Sequence, residues 1–170
     1  MAYATVQQLA DAASGGWQEL AQRASHSGFV DGELLQLAAT GADLSGFDAP
    51  LQAGAGAALV RLHDALERAS RHADTFLFPR YRAALPLTPT LLAGSDLPSV
   101  VAAIALKRLY GTLVPEELRR STQWADDYLT ALSKGTASLG QLDTAVAPPA
   151  RAPLVRTRAR RTEWQGYGHA

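Results

Sequence analysis

The chain has 170 residues, 47% of them hydrophobic but only 7% aromatic, and its 16 basic and 16 acidic side chains cancel. It contains no cysteine, which excludes disulfides, thiolate zinc sites and cysteine catalysis. No apolar run approaches the roughly 20 residues that cross a membrane and no signal peptide opens the sequence, so a soluble protein kept in the cytoplasm, without membrane contact, is expected.

The zero net charge hides an asymmetry. Residues 147–170 carry five arginines against Glu163 alone, a balance of +4, which leaves −4 for residues 1–146. The composition changes at Ala147-Pro148-Pro149, so a domain over 1–146 and an extended basic tail over 147–170 are predicted. Alanine supplies much of the apolar fraction, and small side chains favour closely packed helices over a thick sheet core.

In chain order, Thr5 and Gln8 have the spacing of a capping box, which predicts a helix to about Ala13, ended by Ser14-Gly15-Gly16. A second short helix is predicted over Trp17–Ala24, then a loop over His26–Gly32. Asp31 is placed to start a third short helix through Glu33–Ala39. Residues 40–56 hold Gly41, Gly46, Pro50, Gly54 and Gly56 and read as a permissive connection. Gly54 and Gly56 do not make a dinucleotide loop, because no strand precedes them and Leu59 stands at the third glycine position.

Leu59, Leu62, Leu66, Ala69, Ala73 and Phe76 then alternate at spacings of three and four, one apolar stripe of a long helix that Pro79 is expected to stop. Glu67 and Arg71 stand i,i+4 on its outer face. A loop interrupted by Pro86 and Pro89 follows. Ser95 or Asp96 caps the next helix, with Pro98 in its first turn, Val101, Ile104, Ala105 and Tyr110 partly buried, and Gly111 just beyond its end. Pro115 starts the last long helix and Gly135 ends it after about 20 residues, or ~30 Å. Leu118, Ala125, Leu129 and Leu132 form its buried seam, while Arg119, Arg120, Asp126 and Asp127 face outward. No stretch alternates with period two, so the predicted fold is all-α, a small helical bundle with an extended arginine-rich tail.

Catalytic and metal chemistry find little support. His63 and His72 are nine residues apart on one helix, a spacing that cannot chelate a single ion, and His26 and His169 stand elsewhere. No nucleophile elbow is present. The expectation is a non-enzyme without cofactor or metal.

Four segments carry a resemblance. They are Tyr3-Ala4-Thr5, opening a capped helix; Ala73–Tyr81 (ADTFLFPRY), a helix exit; Arg108–Leu118 (RLYGTLVPEEL); and Lys134–Gly140 (KGTASLG). In this order and spacing the chain resembles the Mu-like phage head–tail connector family, over roughly residues 1–35 and 57–140, and departs from its pattern in the Gly/Ala-rich region 40–56. The resemblance implies an adaptor of the virion neck in a long-tailed phage. Such a protein assembles in the host cytoplasm as a homo-oligomeric ring below the portal protein, with twelve-fold symmetry. It joins the DNA-filled head to the tail, adjoins the tail terminator or tail-completion protein, and lets the genomic DNA pass without sequence recognition. A tail-completion role at the same junction is the near alternative.

The tail has its own physics. In an extended chain Arg156, Arg158 and Arg160 point the same way, with Arg161 beside them. Pro148, Pro149 and Pro153 resist helix. Extended, residues 147–170 reach up to ~80 Å, with Trp164 and Tyr167 as anchors of the kind that dominate interfaces. Three readings stay open: docking on the portal or adjacent subunits, contact with DNA phosphates as a small nucleic-acid-binding protein, and a solvated end. The prolines and the terminal aromatic pair favour docking.

Overall fold

The computed structural model describes residues 2–25, 30–140 and 143, which form seven helices and no strand. The all-α expectation holds for the described residues. The predicted boundary near residue 147 and the whole of the tail lie outside them.

Helix α1 (Val6–Ala12) begins as the capping box requires: Thr5 Oγ1 accepts from the Gln8 amide at 3.2 Å, and Gln8 Oε1 accepts from the Thr5 amide at 2.9 Å. Helix α2 (Gly16–Ala24) follows after a short turn, and α3 (Gly32–Thr40) is capped by Asp31, whose carboxylate accepts from the Leu34 amide at 2.8 Å. Gly32 allows a close approach here, since a Cβ on it would stand 2.7 Å from the Gln18 backbone nitrogen.

Helix α4 (Ala49–Tyr81) is the long element, 33 residues, and it corrects the sequence reading at both ends. It starts inside the expected connection, because Pro50 occupies the first turn, where its missing N–H leaves no intrahelical bond unmade. Gly54 and Gly56 are therefore helical. The cost of two glycines, about 1 kcal/mol each, is set against burial of Ala55 and Ala58 and against Gln52, whose amide donates to the carbonyls of Leu44 and Phe47. Pro79 does not stop the helix either. It sits in the last turn, which is held by tertiary ties from Arg80 and Tyr81. The outer-face ion pair joins Asp64 and Arg68 at 2.7 Å in place of the expected Glu67 and Arg71.

The expected loop at Pro89 contains a short helix, α5 (Pro89–Ala93), again with proline in its first turn and Thr88 as cap. Helix α6 (Leu97–Leu109) is more deeply placed than its periodicity suggested. Val100 through Leu106 are all buried, and the helix packs against α1, α4 and α7. A helix that is apolar on every side belongs in the middle. Gly111, with φ 63°, turns the chain out of it. Helix α7 (Glu116–Lys134) buries Ala125, Leu129 and Leu132 as predicted, and Gly135, with φ 74°, ends it in the left-handed conformation. Asp126 is not simply outward: it is half-buried and takes the Lys107 ammonium at 3.0 Å.

Candidate assembly surface

The four segments that stand out in the sequence hold the fold together from within. The Tyr3 amide donates to Ser70 Oγ at 2.9 Å and the Tyr3 hydroxyl to Asp74, so the chain start is fastened to α4. Burial first, then the Asp74 carboxylate, pushes the Tyr3 hydroxyl above the usual tyrosine range. Tyr110, at the end of α6, donates to Glu19 of α2, and the Arg23 guanidinium lies 4.0 Å from the centre of its ring. Burial pushes the Glu19 carboxyl up. Hydrogen bonds from Tyr110, the Gly15 amide and Ser14, with the charge of Arg23, outweigh it and leave Glu19 below its ordinary value.

The two remaining segments meet each other. Arg80 donates to the Ala137 carbonyl at 2.7 Å, and Asp143, its side chain 3% exposed, accepts from the Tyr81 hydroxyl at 2.5 Å and the Leu139 amide at 3.0 Å. Gly140, at φ 97°, lies so close to Gly94 that a Cβ would stand 2.5 Å from its carbonyl oxygen. These contacts fix the point at which the chain leaves the helical domain. The motif residues named here are thus staples, and of the four segments only Arg108–Leu118 also reaches the surface open to partners.

That surface has two parts. Between α1 and α7, floored by α6, runs a groove of two adjoining cavities of about 410 and 300 Å³. Ala103, Leu106 and Leu118 give it an apolar floor, Asp11 and Glu117 stand on its opposite walls, and Trp124, 46% exposed, lines one end. No lysine or arginine lines it. Arginines gather instead at the α4–α6 contact, where Arg61, Arg68 and Arg108 surround a separate recess. The second apolar part is on the first half of α4, where Ala53, Gly56, Ala57 and Val60 are exposed at spacings of three, four and seven. Val60 is 68% exposed.

Arg156, Arg158, Arg160, Arg161, Trp164 and Tyr167, the partner-binding residues expected from the sequence, lie outside the described residues. Trp124 and Asp11 were not singled out by the sequence reading, and Glu117 stood out only as an acidic residue in the first turn of the last helix, within the motif Arg108–Leu118. One signal was present: Trp124 directly precedes Ala125 of the buried seam, which puts a large aromatic on the flank of an amphipathic helix. Among the described residues no three His, Asp or Glu side chains converge as metal ligands. His63 is exposed, and His72 packs edge-on against Phe76 with ring centres 5.2 Å apart. No described helix is long and apolar enough to cross a membrane.

No curated protein and no solved structure matches the chain. A family model does, described as Bacteriophage Mu, Gp36, and it matches residues 3–157. That span takes in all seven helices, the four stapling segments and the first arginines of the tail, and on it the chain belongs to the bacteriophage Mu Gp36 family.

Proposed function

We propose that this phage protein is a structural head–tail connector, an adaptor that forms a ring below the portal and joins the DNA-filled head to the tail. The observation that carries the reading is the pair of separate apolar surfaces. One is the α1/α6/α7 groove with Trp124, and the other is the exposed face of α4 around Val60; they share no residue. A two-fold dimer needs one self-complementary patch, whereas a closed ring of head-to-tail contacts needs two different ones. Membership of a phage Mu family supports the same reading. The chemistry is mechanical: interfaces of more than ~1,000 Å² assembled from helix faces, no reaction and no cofactor. The genome passes through the lumen without base recognition.

Particle incorporation tests this. Val60→Asp and Trp124→Asp, made singly, place a charge on each exposed face and leave the melting curve of the free chain close to wild type. Each substitution alone prevents incorporation into particles. Normal incorporation of both variants would remove the two-surface ring.

A second reading, nucleic-acid binding, is favoured by the +4 balance of residues 147–170. Arginine contacts to phosphate are lost steeply as salt rises. A gel shift that is tight at low salt and absent at high salt supports it, and no shift at moderate salt removes it.

A further inference from the structure

The groove between α1 and α7 is apolar along its floor, acidic on both walls and open at Trp124. We propose that its occupant in the free protein is the chain's own arginine segment, residues 151–161. The inference goes beyond the ring and does not depend on it.

Reach is the first argument. The chain leaves the described fold at Asp143, which Tyr81 holds, and Gly140 lies against Gly94. Gly94 is five positions before Ser99, which lines the near end of the groove. Arg151 stands eight positions after Asp143, enough to span up to ~26 Å. Along α6 the groove runs from Ser99 to Tyr110, ~17 Å of helix. An extended segment of 11 residues covers ~36 Å, more than the groove requires.

Chemistry is the second. The segment carries Leu154 and Val155 between Arg151 and Arg156, an apolar pair flanked by charge. The groove offers the complement: Ala103, Leu106 and Leu118 below, Asp11 and Glu117 at the sides. Trp124 supplies an aromatic face on which a guanidinium stacks, a geometry arginine suits better than lysine. Tethering through a short linker raises the effective concentration of the segment at the groove to the millimolar range, so modest contacts suffice. Pro148, Pro149 and Pro153 lower the entropy lost on ordering. A partner that takes the arginine segment must first draw it out of the groove, which leaves Trp124 free for a neighbour.

The absence of native cysteine makes the test clean. Val155→Cys is combined in the full-length chain with Ser121→Cys, exposed on the groove wall, or with Ser99→Cys at the groove's near end. Ala57→Cys, exposed on α4, serves as control. Under mild oxidation in dilute solution and low salt, both groove pairs give a cross-linked chain of monomer mass much faster than the control. The cross-link is lost at high salt and on Asp11→Lys with Glu117→Lys. Cross-linking of both groove pairs no faster than the control overturns the proposal. So does cross-linking only into dimers, which would assign the groove to the segment of a second copy.

Discussion

The staple at the domain exit makes a quantitative claim. Tyr81 is 2% exposed, and its hydroxyl donates to a carboxylate that is itself buried. Tyr81→Phe removes that hydroxyl and leaves the ring in place. A hydrogen bond to a charged group contributes about 1.5–3 kcal/mol. Asp143 keeps the Leu139 amide and the Arg80 guanidinium, 3.8 Å away, so the loss belongs in the lower half of that range, about 1.5–2 kcal/mol. For a domain of this size, each kcal/mol moves the midpoint by about 2–4 °C, which gives a fall of roughly 3–8 °C. Urea unfolding of the full chain followed by circular dichroism should show the same loss with an unchanged m-value. An alkaline signature accompanies it. Burial, then the hydrogen bond to Asp143, pushes the Tyr81 hydroxyl above its ordinary value, so its contribution is complete below about pH 10 and is lost as pH rises through the higher folded value. The Phe variant should lack that part of the alkaline loss. A change below ~0.5 kcal/mol, within the range of an ordinary surface substitution, would mean that residues 137–140 and Asp143 lie outside the cooperative unit, and the fixed exit would have to be abandoned.

Glycines give a contrast of sign. Gly56→Ala, in the interior of α4 with nothing within 4 Å of a new Cβ, should stabilise by about 0.5–1 kcal/mol. Gly140→Ala meets the Gly94 carbonyl at 2.5 Å and should lower the melting temperature; equal behaviour of the two variants in thermal melts would contradict the close approach. His72 is held below its ordinary value by burial and by the charge of Arg108, with Asp126 opposing. Its contribution is therefore complete above about pH 6.5 and is lost as pH falls through the lower folded value. The wild type should lose more stability than His72→Gln between about pH 7 and pH 5, and parallel curves would refute the assignment.

Local signals were legible where one residue decides the backbone. The Thr5 capping box, the Asp31 cap, Pro98 in a first turn and the left-handed Gly111 and Gly135 all stand where the sequence puts them. Proline misled at Pro50 and Pro89, because the residue that breaks a helix interior also starts a helix, and only the following turn tells the two apart. Pro79 misled for another reason: the hydrogen bonds that keep its turn helical come from residues about 60 positions away. The complete burial of α6 was half-visible in VVAAIAL, a run too short to separate a buried helix from a partly exposed one. Beyond Trp124 on the flank of the buried seam, the groove was not legible. Its walls, Asp11 and Glu117, are brought together only by the common packing of α1 and α7 on α6, and no local pattern says which flank of an amphipathic helix stays open.

The connector role is tested most directly by removing the gene from its phage and viewing the lysate by electron microscopy. The account predicts filled or leaking heads alongside separate, complete tails, with joining restored when the wild-type protein is supplied. Intact virions in the absence of the protein would contradict it.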